Sequence, residues 1–567
     1  LCHQDYDAFY ATCFEVENPA LRSLPLAVQQ KQILVTCNYE ARRRGLHKLQ
    51  LIKEAKQNCP DLIVVLGEDL SRFRAYSKAL YSFLRAFSWN NKVERLGFDE
   101  VFLDVTDIVE YNVTLINPND PTGSFFHLSR NDPTRGFPFD ASVVAGDTYE
   151  PIRAENRPSA QEDLHRRLRV GSHLARFMRT ELHGHHGFTA TIGISSSKLL
   201  AKLVGNLHKP NGQTTLLPPY VGDGDAETNV STFIDSHDIG KMPGIGFKLA
   251  QKLRAFILSR PPAISSGCVH GRTEENVTVK DVRTHPSVTP ASLENLLQGP
   301  GSPHGIGAKI WNLLHGIDDA EVRPAREVPR QISIEDSYIK LNTIEDVVRE
   351  LGLLATSLLK RMRLDLLDRD DDDVDSTPTT KTGNNERQPN AAPPPNTPAP
   401  TFLARPRTLR LTTRPRPPPL PTGVRPRSFA RISRSAPLPA FVFSLTDSID
   451  ILAKRLVTEA LLPLFRKLHP ERDWDLSLVN VCMTNMDVVS GRGRGRGLGD
   501  WIRRGSEDFL CPSTQESGLT DLTPVEHGCW DEGDWVEEEE DGDELPRCVV
   551  CGAHMPAWAM AAHERFH

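Results

Sequence analysis

Two acidic sites sit among apolar residues on segments that read as strands. One is Asp5 in Asp5-Tyr6-Asp7-Ala8-Phe9-Tyr10; the other is Asp99 and Glu100 in Gly97-Phe98-Asp99-Glu100-Val101-Phe102-Leu103-Asp104. Burying carboxylates costs free energy unless they are paired or bind a cation. If the two strands are neighbours, Asp5, Asp99 and Glu100 meet at one sheet edge. Consecutive strand residues point to opposite faces, so Asp99 and Glu100 converge only at a bend, which Gly97 would permit. Three hard oxygen donors suit Mg2+ (or Mn2+), an ion that keeps waters and takes substrate phosphates as further ligands. Spacing alone leaves open a second reading, strand-end acids facing solvent. A different chemistry stands at the far end of the chain. Cys548, Cys551, His563 and His567 have the spacing of a closed tetrahedral Zn2+ site. Met555–Phe566 reads as a short helix carrying both His, and its Ala557-Trp558-Ala559-Met560-Ala561-Ala562 surface suits a protein partner better than phosphate. So small a module folds on the metal's binding energy.

These residues need a scaffold. Ile33–Cys37 reads as a buried strand, Ser71–Phe87 as an amphipathic helix, Phe98–Val105 as a strand and Ser197–Leu207 as a helix. Further on, Thr343–Leu366 and Ile449–Leu468 read as helices and Leu476–Met483 as a strand. Leu409 and Leu411 alternate with Arg410, Thr412 and Arg414, a strand with one apolar and one cationic face. Residues 327–486 thus read strand, helix, strand, helix, strand. Met242-Pro243-Gly244-Ile245-Gly246 before Phe247-Lys248-Leu249-Ala250 reads as a helix-hairpin-helix turn, with Gly244 and Gly246 exposing amides to a phosphate; Gly305-Ile306-Gly307 is a second candidate. Arg410 and Arg414 suit a nucleic-acid backbone contact without sequence preference. For these cations and turns, a solvated face and a plain helix cap remain the alternatives.

Four motifs then follow in order: Asp-x-Asp-x-Phe-Tyr-Ala from Asp5 to Ala11, Asn38-Tyr39-Glu40-Ala41-Arg42, Gly97-Phe98-Asp99-Glu100, and Ser195-Ser196-Ser197-Lys198-Leu199-Leu200-Ala201-Lys202. Together they resemble the Y-family translesion DNA polymerases. Val28-Gln29-Gln30-Lys31, Val35 to Arg42 and Glu94 to Glu100 resemble the family's iota branch. The resemblance covers about residues 1–486 apart from insertions. It implies a multidomain α+β, right-hand-like polymerase: palm at 1–9 and 70–215 with an insertion at about 111–160, fingers at 10–69, thumb with the helix-hairpin-helix at 216–326, and an α+β little finger at 327–486 with a disordered insert at 368–406. A disordered linker at 487–545 and a C2H2 zinc finger at 546–567 complete the expected order.

The resemblance also implies roles. Asp5, Asp99 and Glu100 resemble the catalytic metal ligands, with the Tyr6 carbonyl assisting. Tyr10 resembles the steric gate under the deoxyribose, and Tyr39, Arg42 and Lys198 the triphosphate ligands. Gln30, Lys31, Ile33, Val35 and Leu49 resemble the residues over the templating base. Primer-template DNA and deoxynucleoside triphosphates are the implied substrates, for error-prone synthesis without proofreading, in the nucleus. The zinc module resembles the ubiquitin-binding finger of the eta branch and implies ubiquitin, and the ubiquitylated sliding clamp, as partners. Three departures stand out: Ser197 where the family has Asn, an apparent Asn90-Asn91 insertion, and a first strand cut short before Asp5. The rival from another class is a catalytically silent DNA- and ubiquitin-binding scaffold; the intact acids at 5, 99 and 100 favour the enzyme.

Length and charge agree with this order. The chain has 567 residues, enough for several domains, with 39% hydrophobic and 25% charged residues. The net charge of −7 hides segregation. Residues 531–545 carry ten acids and no base, 368–375 carry six Asp against Arg369, and 405–434 hold nine Arg and no acid. A basic body with acidic inserts suits a polyanion. Ten Cys are spread thinly, which excludes a secreted disulfide framework. No run of 18 uncharged apolar residues occurs, so no membrane span is expected. The chain starts at Leu1 rather than Met, and upstream sequence is expected.

Overall fold

The computed structural model describes residues 1–152, 158–222, 227–263, 275–299, 302–326, 328–368, 401–417, 430–470 and 474–488. The expected zinc finger, the linker from 489 to 545 and residues 369–400 of the expected insert lie outside the described residues. The chain divides into two compact units, Leu1–Ala325 and Arg326–His567.

Among its described residues the first unit is built on a six-stranded sheet in the order Val93–Arg95, Glu100–Leu103, Cys2–Tyr6, Ala190–Ile194, Gln213–Leu216, Asp147–Tyr149. The first strand runs antiparallel to both neighbours, with Asp5 opposite Glu100 on one side and Thr191 on the other. Ala190–Ile194 is buried along its whole length, as expected of a central strand covered on both faces. One face packs Tyr6, Val101, Leu103, Ile192 and Ile194 into a core with Leu80, Leu84, Leu174 and Met178 from the helices Ser71–Arg85 and Ser159–His186. The helix Lys198–Val204 lies on the opposite face. Gly193 and Gly205 let it come close: a Cβ on Gly193 would stand 1.9 Å from the Ala201 carbonyl oxygen and 2.5 Å from the Gly205 amide nitrogen. Ser197 starts this helix by accepting a hydrogen bond from the Leu200 amide at 3.3 Å. Ser does there what Asn does equally well, so this departure from the family motif keeps the cap.

A separate three-stranded sheet is ordered Ile33–Cys37, Leu26–Gln30, Ile63–Leu66 over its own small core of Ala27, Leu34, Cys37, Ala41, Ala55 and Leu62. Residues 111–149, read from composition as part of an insertion within a folded domain, pack into the first unit. The helix Thr106–Leu115 runs into this stretch, Ser124–His127 and Gly136–Phe139 form a hairpin, and Asp147–Tyr149 extends the main sheet. Its phenylalanines explain this: Phe126 is fully buried and Phe137 stacks on Phe177 at 4.4 Å. Residues 216–326 hold short helices around Phe233, Leu253, Leu297 and Leu314; Thr228, Thr278 and Thr289 each close a capping box.

The second unit is a four-stranded antiparallel sheet ordered Ile332–Ser337, Leu476–Val488, Ala404–Pro415, Ile432–Pro437. Leu409, Leu411, Val479 and Val481 meet Leu351, Leu358 and Leu456 in its core. Three differences from the sequence reading appear. Thr401–Phe402 and the first residues of Ala404–Pro415, within the insert expected at 368–406, are strand. Ile432–Pro437 is an additional edge strand, mostly exposed and without apolar alternation. The expected helix Ile449–Leu468 is interrupted by a π-helical turn at Val457–Leu461, just before Pro463, whose missing N–H and ring disfavour a regular i→i−4 ladder.

Candidate active site

The two acidic motifs meet because their strands are neighbours. Asp5 and Glu100 are direct cross-strand partners. Asp99 stands just outside the strand, where its carbonyl accepts the Tyr6 amide at 2.9 Å; leaving the ladder at this point is what frees Asp99 from strict alternation with Glu100. The three carboxyl groups feel one another. Burial, then Asp5 and Glu100, push the Asp99 carboxyl up to about 7. Burial also raises Asp5. Burial acts on Glu100 in the same sense, but Lys202, His3 and Lys209 outweigh it and hold Glu100 below the usual carboxylate range.

Two ammonium groups balance the cluster. Lys209 Nζ lies 2.6 Å from Asp5 Oδ2, and Lys202 Nζ lies 2.8 Å from Glu100 Oε2. Sequence reasoning did not assign either lysine to the site. The signal for Lys209 was present in Lys209-Pro210-Asn211-Gly212, and for Lys202 in its place one turn after Lys198. Asp7, in the turn right after the strand Cys2–Tyr6, is buried and accepts from Thr191 Oγ1 at 2.9 Å and the Asn211 amide at 2.8 Å. It therefore fastens the lysine-bearing turn to the first strand. Among the described residues no three His, Cys, Asp or Glu side chains are already gathered as a metal ligand set; Asp5 and Glu100 are engaged by lysines instead.

Tyr10 follows the first strand on the helix Phe9–Glu17 and is 9% exposed, its ring stacked on Phe73 at 4.2 Å and tilted against Phe98 at 6.1 Å. Burial and then the Asp99 charge raise its hydroxyl, so the ring stands beside the carboxylates. Tyr39 and Arg42 share the helix Tyr39–Arg43, started by Asn38, whose side chain accepts the Ala41 amide at 2.9 Å. The Arg42 guanidinium lies 4.5 Å over the Tyr39 ring and donates to the Cys37 carbonyl at 3.1 Å. Burial, then Asp7, push the Tyr39 hydroxyl up to about 12, with Asp5 contributing. Lys198 is not at the carboxylates. Its Nζ is 2.7 Å from Glu94 Oε2 and 3.3 Å from the Glu321 carbonyl, and sits over the Phe102 ring at 5.3 Å. Glu94 also accepts the Arg323 amide at 3.0 Å, so Lys198 helps anchor the segment around Glu321 and Arg323 to the sheet.

Sequence comparison agrees with this geometry. Residues 4–206 match the impB/mucB/samB family. The match spans all four motifs and supports the Y-family resemblance drawn from them. DNA polymerase iota from Mus musculus is 30% identical over 87% of this chain and 55% of its own length. The Homo sapiens DNA polymerase iota is 29% identical over 87% and 53%, and DNA polymerase IV from Francisella philomiragia 25% identical over 64% and 77%. The chain spans about half the length of the iota relatives it matches.

Within the impB/mucB/samB region, the residues expected over a templating base share one hairpin and the loop behind it. Gln30 pairs with Ile33 and its side-chain amide donates to the Gly67 carbonyl at 2.7 Å; Lys31, at the turn, has φ of 50°; Ile33 bridges to Leu51; and Leu49, with φ of 66°, donates its amide to Leu34. Ile33 and Val35 point to one side, half-exposed, while Leu34 between them is buried. Asn90 and Asn91 form a turn: Asn90 Oδ1 accepts the Lys92 amide at 3.0 Å, and the Asn91 carbonyl accepts the Ala325 amide at 2.8 Å.

The expected DNA contacts lie elsewhere. Gly244 has φ of 88° and Gly246 starts the helix Phe247–Leu258. The second candidate turn differs: the Gly305 and Gly307 amides donate to the two Glu294 carboxylate oxygens at 3.2 and 2.6 Å. A carboxylate of the chain itself thus takes up those donors. In the second unit Arg410 and Arg414 lie on the sheet face opposite Leu409 and Leu411; Arg410 donates to Gln331 Oε1 at 3.2 Å and Arg414 to Ser477 Oγ at 2.9 Å. The expected zinc ligands Cys548, Cys551, His563 and His567 lie outside the described residues.

Proposed function

We propose that this protein is a template-directed DNA polymerase that extends primers past damaged bases by nucleotidyl transfer. The observation that carries the reading is the half-buried juxtaposition of Asp5, Asp99 and Glu100 beside Lys202 and Lys209, on a domain matching a family whose relatives are named as DNA polymerases. The donor set fits a divalent cation: the oxygens are hard, and burial followed by the Asp5 and Glu100 charges pushes Asp99 up to about 7, a cost that a bound cation would relieve. Asp5, Asp99, Glu100 and the Tyr6 carbonyl are the residues that would hold Mg2+ or Mn2+. Such an ion, when bound, supplies alignment of a 3′-hydroxyl and neutralisation of charge developing at phosphorus. The remaining roles belong to the chain. Tyr10, wedged against Phe73, is a rigid ring for a deoxyribose to lie on and leaves no room for a 2′-hydroxyl. Arg42, pre-stacked on Tyr39, and Lys209 are the cations for a triphosphate; Lys198 is better suited to holding the sheet and the post-thumb segment together. Gln30, Lys31, Ile33, Val35 and Leu49 form the template-side wall. Gly244, Gly246, Arg410 and Arg414 hold the duplex backbone.

The finer parts of the reading rest on sequence. Low fidelity, a Zn2+-dependent ubiquitin-binding tail at Cys548, Cys551, His563 and His567, recruitment to a ubiquitylated clamp and residence in the nucleus are proposed from motif resemblance and composition. Primer extension on an undamaged and on an abasic template, with Mg2+ and with Mn2+, tests the central reading. Metal-dependent extension that vanishes in Asp99→Asn/Glu100→Gln, with DNA binding retained, is the expected result. Extension that survives the double substitution would remove the carboxylates from catalysis.

A further inference from the structure

His3 lies two residues before Asp5 on the same face of the first strand. It is 2% exposed. Its ring packs on the cross-strand partner Phe102, centroids 4.8 Å apart. Its Nε2 has no hydrogen-bond partner among the described residues. A buried ring nitrogen left without a partner costs about 1–3 kcal/mol, and native structures keep few such groups without a use for them. Glu100 Oε1 lies 3.9 Å from this nitrogen, within reach of a small turn of the side chain. The other oxygen of Glu100 is held by Lys202 at 2.8 Å. A carboxylate gripped at one oxygen alone can swing about its terminal torsion, whereas a second donor on the opposite side fixes its plane. No motif drawn from the sequence includes His3.

We propose that His3 is a positioning residue: its Nε2–H is the second donor that orients the Glu100 carboxylate for the divalent cation. This rests on the reading of Glu100 as a metal ligand. The chemistry is that of outer-shell partners, which set the direction of a ligand without touching the metal, and whose loss costs about 10–100-fold in metal affinity or activity. Phe102 supports the role from behind by fixing the imidazole plane, and Lys202 leaves Oε1 free for it.

The test uses the full chain and Mn2+ as the probe. Mn2+ binding without nucleotide is followed by electron paramagnetic resonance, next to primer extension across a range of nucleotide concentrations. His3→Phe keeps a ring against Phe102 and removes only the nitrogens; it is expected to weaken Mn2+ binding about tenfold or more, with the KM for nucleotide unchanged. His3→Gln returns an N–H donor and is expected to recover most of that loss. Equal affinities in all three proteins, or equal losses in both variants, would overturn the proposal. A measurement on the unsubstituted protein guards against a variant that does not fold: 15N NMR of the labelled imidazole with Mg2+ present should find the proton on Nε2, and a bare Nε2 would overturn the proposal. Extension by the unsubstituted protein separates the two readings. If it shows no metal-dependent activity the polymerase assignment fails; if it is active and the His3 variants match it, only the role of His3 fails.

Discussion

At the scale of single residues, the carboxylate cluster sets stability against use. The fold raises Asp99 from the ordinary carboxylate range to about 7, so the folded state favours the protonated acid. That preference stabilises the metal-free protein fully below about pH 4 and is lost as pH rises towards 7. Asp99→Asn removes the titration, and we expect it to raise metal-free stability at pH 7 by on the order of 2–4 kcal/mol while abolishing extension. Thermal melts of both proteins at pH 5 and pH 7 check this; a variant no more stable at pH 7 than its parent would show that Asp99 is not strained. Tyr10→Ala should raise the ribonucleotide-to-deoxyribonucleotide ratio of kcat/KM at least tenfold, and an unchanged ratio would make Tyr10 a packing residue under Phe73. The acids were legible in sequence because carboxylates among apolar residues are costly and so conspicuous. Lys202 and Lys209 were not, because a lysine on a helix or turn looks like any solvated cation until its partner is known.

At the scale of elements, the helix Lys198–Val204 positions the site by lying close to the sheet. A Cβ on Gly193 meets backbone atoms of that helix well inside contact distance, and backbone cannot step aside cheaply. Gly193→Ala is therefore expected to cost about 3 kcal/mol or more and to lower extension by moving Lys202 off Glu100. Near-normal melting and activity would show that the helix is free to slide. Lys198→Ala tests the other end of the helix: Glu94, 10% exposed on its side chain, keeps the Arg323 amide at 3.0 Å and the Arg323 guanidinium at 3.7 Å, so the loss should be about 1–3 kcal/mol, read by thermal melts. Elements with a strong apolar period, such as Ser71–Arg85 and Ile344–Leu366, could be read directly. The edge strand Ile432–Pro437 could not, since its stability comes from pairing with Ala404–Pro415 and not from a buried face of its own. The π-helical turn was equally hidden, because a continuous apolar period runs through it and only the local backbone departs.

At the scale of the whole molecule, each unit has a hydrophobic core of its own. Residues 326–488 produced alone should therefore melt cooperatively, and a fragment that stays unfolded would show that the second core depends on the first unit. The motifs and their order were legible in the sequence, whereas the packing of the stretch after residue 111 was not: its turn-forming composition hides Phe126, which is buried, and Phe137, which stacks on Phe177. The ion pairs at Asp5 and Glu100 carry one more consequence, which belongs to linkage. At rest these carboxylates are neutralised from within by Lys209 and Lys202. A divalent cation entering there competes with ammonium groups, and each lysine it releases stays nearby with an unspent positive charge. An anionic nucleotide favours the released form, so metal and nucleotide should each tighten the other's binding, by equal factors whichever is added first. With both lysines changed to Met, metal alone should bind more tightly while the mutual reinforcement shrinks.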